Sequence, residues 1–206
     1  SLVGSEMCIR DSNYDYGSMF ADWLYSKDPK PYNSYGNGAA MRVSGCAYVG
    51  DSLEEVLELA HTVTAVTHNH PDGIAGAQAT AGAIYLARTG ASKEDIRKFV
   101  QDNYYDLNFT IDGIRPTYEF DGSCKGTVPQ AVVAFLEGND FEDTIRNAIS
   151  IGGDSDTLAA IAGSIAEPFF GIPRDIGDEA LSYLDIKLLK LFCEFEKTFI
   201  LPKKIK

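Results

Sequence analysis

The sequence predicts an all-α protein. Apolar residues recur at helical spacing in one segment after another, the segments open on helix-capping residues, and no stretch alternates as a half-buried strand does. Ser52 opens the first clear helix with Glu55 three residues on, the spacing of a capping box; Leu53, Val56, Leu57, Ala60 and Thr64 follow on one face. A second helix is predicted over 74–88, where Ala75, Gly76, Ala77, Ala79, Ala81, Gly82 and Ala83 leave room for a neighbouring helix or ligand. Gly90 stops it, and Ser92 opens a third with Ile96, Phe99, Val100 and Tyr104 inward. Residues 105–127 read as a long irregular connection. Pro129 then stands near the start of a helix through Ala131, Val132, Phe135 and Leu136, ended by Gly138. Asp140 begins another, with Phe141, Ile145, Ala148 and Ile149 as its stripe. Residues 158–166 are nearly all small and apolar, which predicts a buried helix. A last helix is predicted over 178–199, with Leu181, Leu184, Leu188, Phe192 and Phe195 inward.

Composition narrows the function. A chain of 206 residues with 45% hydrophobic side chains suits one globular domain. A net charge of −12 argues against a nucleic-acid surface, which needs clustered Lys and Arg; the basic tail Lys203, Lys204 and Lys206 reads as solvated. No run approaches the roughly 18 apolar residues of a membrane span, so no membrane partner is expected. Cys46, Cys124 and Cys193 lack CxxC spacing and read as reduced thiols of a cytoplasmic protein. Residues 1–12 resemble a translated sequencing adapter, so domain sequence is expected over 13–206, with an N-terminal portion missing.

Ser150-Ile151-Gly152-Gly153-Asp154-Ser155-Asp156-Thr157 carries the densest chemistry. Asp154, Asp156 and Thr157 place two carboxylates and a hydroxyl behind a glycine pair that can turn the backbone until oxygens converge. A helix start would use one such residue as N-cap, and both roles are compatible. The oxygen-only set, without Cys or His, favours Mg²⁺ or Mn²⁺ over zinc.

Two further segments stand out. In Ser34-Tyr35-Gly36-Asn37-Gly38-Ala39-Ala40-Met41-Arg42, Gly36 and Gly38 flank Asn37, so backbone N–H groups can face phosphate or ribose oxygens; a plain Asn-Gly turn is the simpler alternative. Thr67-His68-Asn69-His70-Pro71-Asp72-Gly73 holds two of the chain's 3 histidines. His68 is the better candidate for substrate contact, and His70 reads as exposed beside its proline.

Taken together with Thr67-His68 through Gly76-Ala77 and with Gly126-Thr127-Val128-Pro129, these motifs resemble the ADP-ribosylglycohydrolase superfamily, over essentially all of residues 13–173. The resemblance implies an all-α orthogonal bundle holding two Mg²⁺ or Mn²⁺ ions. It implies cleavage of the glycosidic bond joining ADP-ribose to a protein side chain or small-molecule acceptor. Asp154, Asp156 and Thr157 would supply one half of the metal site, and Gly36, Asn37, Gly38 and His68 would surround the ADP-ribose. Family members also carry a Gly-Asp-Ala-Leu-Gly-type segment with a nearby acidic residue, and a Thr-Asp-Asp motif, upstream of these. Neither occurs here, so the catalytic acid is unassigned and this chain is expected to be inactive by itself. A catalytically inert ADP-ribose-binding or structural member of the same fold is the alternative. An unrelated Mg²⁺-dependent phosphohydrolase would explain the aspartates but not the other motifs.

Overall fold

In a computed structural model that describes residues 17–201, helices make up the architecture, and the β-type pairing among those residues is one isolated bridge, Gly36 to Ser123. The helices are α1 (Ser18–Tyr25), α2 (Gly38–Met41), α3 (Cys46–Val49), α4 (Leu53–Ala65), α5 (Pro71–Arg88), α6 (Lys93–Asn103), α7 (Ile111–Ile114), α8 (Cys124–Glu137), α9 (Phe141–Ser150), α10 (Ser155–Phe170), α11 (Arg174–Ser182) and α12 (Ile186–Phe195). A π-helical turn, Glu196–Ile200, follows α12. The adapter-like segment 1–12 and the basic tail lie outside the described residues.

The core is built around α5, which packs against α2, α3, α4, α6, α8 and α10. A helix touched on so many sides cannot be amphipathic, and Gly73, Gly76, Ala77, Ala79, Thr80, Ala81, Gly82, Ala83, Ile84 and Ala87 are all buried. Its small residues set the spacing. A Cβ on Gly76 would stand 2.5 Å from Cys124 Sγ of α8, and one on Gly82 would stand 2.4 Å from the Phe99 ring of α6. α10 lies against α5, α8, α9 and α2, with Leu158, Ile161 and Ile165 fully buried. The loop before α2 and the start of α10 therefore meet at one end of the central pair.

Local chemistry explains most helix starts. Ser92 and Asp95 form a reciprocal capping box. Ser52 accepts from the Glu55 N–H at 3.1 Å, but the Glu55 carboxylate reaches past it to the Asp51 N–H, so the box expected there is not closed. Asp140 accepts from the Asp143 N–H at 2.8 Å.

Elsewhere the boundaries differ from expectation. The helix predicted over 74–88 begins at Pro71, because His70 is its N-cap and accepts from the Asp72 N–H at 3.1 Å. Within 105–127, α7 forms behind a Thr110 cap, and α8 starts at Cys124 because Ser123 accepts from the Gly126 N–H. Pro129 thus stands in the second turn of α8 rather than at its start. The single helix predicted over 178–199 is broken: Asp185 accepts from the N–H groups of Lys187 and Leu188 and opens α12 anew. Leu188 and Phe192 are exposed rather than inward, while Leu181, Leu184 and Phe195 are half-buried. No described helix is long and apolar enough to cross a membrane.

Candidate active site

The glycine–asparagine loop is clamped from two sides. The Cys124 N–H donates to the Tyr35 carbonyl at 3.0 Å, its thiol faces the Gly36 carbonyl at 3.2 Å, and the Asn37 N–H donates to Gly122 at 2.8 Å. Ser34 Oγ accepts from the Gly36 N–H. On the other side Gly73 lets α5 start beneath the loop, since a Cβ there would stand 2.8 Å from the Ser34 carbonyl.

Asn37 is buried, and its side-chain amide donates to Thr127 Oγ1 at 3.0 Å and to Asp154 Oδ2 at 2.6 Å. Thr127 gives its own proton to the Asp121 carbonyl, so it can only accept from Asn37. That fixes the amide with its NH₂ toward Asp154. Asn37 thus links the loop to the start of α10 across 117 residues of sequence.

The octet turns through Gly152 (φ 75°) and Gly153 (φ 65°), the left-handed region that a glycine enters freely. Asp154 holds the N-cap position of α10, yet its carboxylate makes no capping bond and points to Asn37 instead. Asp156 accepts from the Thr157 N–H at 3.0 Å. Burial raises the Asp154 carboxyl above its ordinary value and nearby Asp156 adds to this, while the Asn37 N–H opposes it. Thr157 is buried, with its hydroxyl 3.7 Å from Met41 Sδ, and its side-chain hydrogen bond to Asp154 also opposes the rise there.

His68 approaches the loop from the end of α4. Its Nδ1 lies 2.8 Å from Thr67 Oγ1 and 3.3 Å from Arg42 Nη2, and Arg42 donates to Thr67 Oγ1 at 2.7 Å. The opposite nitrogen, Nε2, faces the glycines: a Cβ on Gly36 or Gly38 would stand 3.6 or 3.5 Å from it. Asn37, Gly38, His68, Arg42, Tyr32 and Ser34 line one cleft of about 490 Å³. The structure therefore gathers Asn37, Gly38 and His68 at this cleft, with Gly36 behind them against His68, and joins them through Asn37 to Asp154, with Asp156 and Thr157 beside it. His70 caps α5 instead, and a cavity of about 510 Å³ lined by Tyr48, Arg88, Glu167 and Phe169 shares no residue with the cleft.

Sequence reasoning did not single out Arg42, Thr67, Thr127 or Tyr118. Each acts through contacts that helical periodicity does not encode. Tyr118 donates to the Gly126 carbonyl at 2.8 Å and lays its ring against Gly153, where a Cβ would stand 2.6 Å from it. The glycine pair was the available signal, because a double left-handed turn needs something packed against it.

For a divalent cation, Asp154, Asp156 and Thr157 offer only hard oxygen donors, and a cation would offset the burial that raises the Asp154 carboxyl. Among the described residues no group of three or more His, Cys, Asp or Glu side chains could hold a metal, so the set fits part of a cation site.

Fold and site define the class: an all-α protein in which a carboxylate-bearing helix start meets a glycine-bounded asparagine loop. Residues 8–176 match the ADP-ribosylglycohydrolase family, and the chain belongs to that family. Human "ADP-ribosylhydrolase ARH3" is 29% identical over 187 residues, covering 68% of this chain and 52% of that protein. The "ADP-ribosyl-[dinitrogen reductase] glycohydrolase" of Rhodospirillum rubrum is 29% identical over 161 residues, covering 74% of this chain and 52% of that one. "ADP-ribosylarginine hydrolase Tri1" of Pseudomonas putida (strain GB-1) is 27% identical, covering 73% and 42%. The chain thus spans about half the length of the curated relatives it matches. An "ADP-ribosylglycohydrolase-related protein complex" shares the fold with a TM-score of 0.66 at 23% identity, covering 95% of this chain and 76% of its own.

Proposed function

We propose that this chain carries the ADP-ribose-binding portion, and part of the metal-binding portion, of a hydrolase that removes ADP-ribose from a modified protein side chain or related acceptor. The observation that supports it most is the 2.6 Å bond from Asn37 to Asp154, which ties the glycine–asparagine loop to the carboxylate cluster. In this proposal Gly36 and Gly38 keep the loop free of side chains so that ligand oxygens can approach its backbone, the Gly36 N–H itself being held by Ser34 Oγ, and Asn37 holds Asp154 in one orientation. His68 contacts the same ligand from the far side of the loop. Asp154, Asp156 and Thr157 would hold Mg²⁺ or Mn²⁺. A bound cation supplies positive charge that orients ribose hydroxyls and water.

Asp154 and Asp156 are joined by no third acidic, His or Cys side chain among the described residues, which favours binding over turnover by these residues alone. The 206-residue chain is therefore proposed to bind ADP-ribose but to release it from substrates slowly or not at all. Supplying an upstream segment with a Thr-Asp-Asp motif should restore cation-dependent release. The test compares ADP-ribose release from arginine- and serine-linked substrates by both forms, with calorimetry of ADP-ribose binding alongside. Absence of ADP-ribose binding by the chain, together with absence of release by the extended form, would overturn the proposal. Binding by both without release by either would favour the inert member.

A further inference from the structure

His68 is held by groups that have a direction. Arg42 is a guanidinium with donors only, so its Nη2, 3.3 Å from His68 Nδ1, can approach only an unprotonated nitrogen. Thr67 Oγ1 accepts from the same Nη2 at 2.7 Å and keeps a proton that it can give to an accepting Nδ1 at 2.8 Å. The Arg42 contact demands that Nδ1 accept, and the Thr67 hydroxyl is compatible with that by donating to it. The ring proton must then sit on Nε2, the nitrogen facing Gly36 and Gly38. Tyr32 closes the set, with its ring centroid 6.1 Å from that of His68 and its phenol engaging Thr67.

We infer that Arg42 and Thr67 are positioning residues that lock His68 as the neutral Nε2–H tautomer, so that it enters the cleft as an uncharged hydrogen-bond donor to a ligand oxygen. This role rests on the ADP-ribose proposal for the identity of the ligand, but the tautomer itself does not. A ring in this state has no free lone pair to bind a metal or take a proton. Protonation is further opposed because burial, and then the Arg42 charge, hold the imidazole down to about 4 from its ordinary 6.5. Tyr32 and Arg42 are the titratable or charged groups that face it, and partial desolvation lowers the Arg42 guanidinium's own value.

The direct test is long-range proton–nitrogen NMR on the ¹⁵N-labelled 206-residue chain between pH 5 and 8. The His68 signals are identified by their loss in His68→Gln. The expected result is a protonated Nε2 and bare Nδ1 across this range, with no titration. A protonated Nδ1, or a midpoint near 6.5, overturns the inference. Arg42→Met should raise the ring's midpoint and let a proton onto Nδ1, and Arg42→Lys, whose ammonium also only donates, should restore the wild-type pattern. Thr67→Val should perturb the pattern in the same direction as Arg42→Met. An unchanged His68 spectrum in both Arg42→Met and Thr67→Val also overturns it. For ligand contact, calorimetry with ADP-ribose should show His68→Leu about five- to tenfold weaker than wild type, and His68→Gln, which keeps a donor, close to wild type. If wild type binds no ADP-ribose while the Nε2–H spectrum holds, the proposed function fails and the tautomer assignment stands.

Discussion

At Gly153 a φ of 65° coincides with the Tyr118 ring, 2.6 Å from where a Cβ would stand; at Gly152 φ is 75° but the space is open. Gly152→Ala therefore meets backbone strain alone, roughly 1–2 kcal/mol. Gly153→Ala meets that strain and must also displace Tyr118 beside Asp154. Urea unfolding should rank Gly153→Ala as clearly the more destabilised, and the reverse order would contradict this packing. His68 makes a second residue-level prediction. Its folded value of about 4 lies below the ordinary 6.5, so the unfolded chain takes up a proton that the folded chain refuses. The stabilising contribution is complete above pH 6.5 and is lost as pH falls toward 4. The stability difference between wild type and His68→Gln should shift against wild type across that window; a constant difference would contradict it. Asn37→Asp puts a carboxylate where an N–H donor met Asp154, and should cost about 1–3 kcal/mol at pH 7, partly recovered in acid. Asp154 and Asp156 are conspicuous in the sequence because acidic residues behind a glycine pair are uncommon. Arg42 and Thr67 are not, since an arginine and a threonine 25 residues apart carry no pattern.

The elements legible in the sequence are those whose start is marked by a side-chain cap and whose core faces only one side. α4, α6 and α9 meet both conditions, through Ser52, Ser92 and Asp140. α5 is buried nearly all round, so its extent had to be inferred from small residues, and its histidine cap is outside the usual cap set. In α8 a mid-helix proline obscured the real cap at Ser123, and in the C-terminal region Asp185 reads as one more surface acid until its two backbone bonds are seen. Close helix contact makes the element-level prediction. Gly76→Ala gains up to about 1 kcal/mol of helix propensity. It would also press a methyl to 2.5 Å from Cys124 Sγ, an overpacking cost of about 1–3 kcal/mol. Thermal unfolding should show net destabilisation. Because Cys124 also holds the carbonyls of Tyr35 and Gly36, ADP-ribose binding should weaken in the same variant. A stabilised Gly76→Ala would mean that α5 and α8 stand further apart.

For the molecule as a whole, the helical class and the order of the motifs are legible in the chain, while the closure of its two ends is not. Asn37 and Asp154 meet because α2, α8 and α10 converge on α5, and local periodicity says nothing about that convergence. The central claim is that the asparagine loop and the α10 carboxylates form one site. The most direct measurement is calorimetric titration of the chain with ADP-ribose, with and without Mg²⁺ or Mn²⁺, for wild type and Asp156→Ala. The account predicts tighter ADP-ribose binding when the cation is present, and loss of that enhancement in Asp156→Ala while the helices remain intact by circular dichroism. Affinity indifferent to the cation, or equally enhanced by it in Asp156→Ala, would contradict a single coupled site.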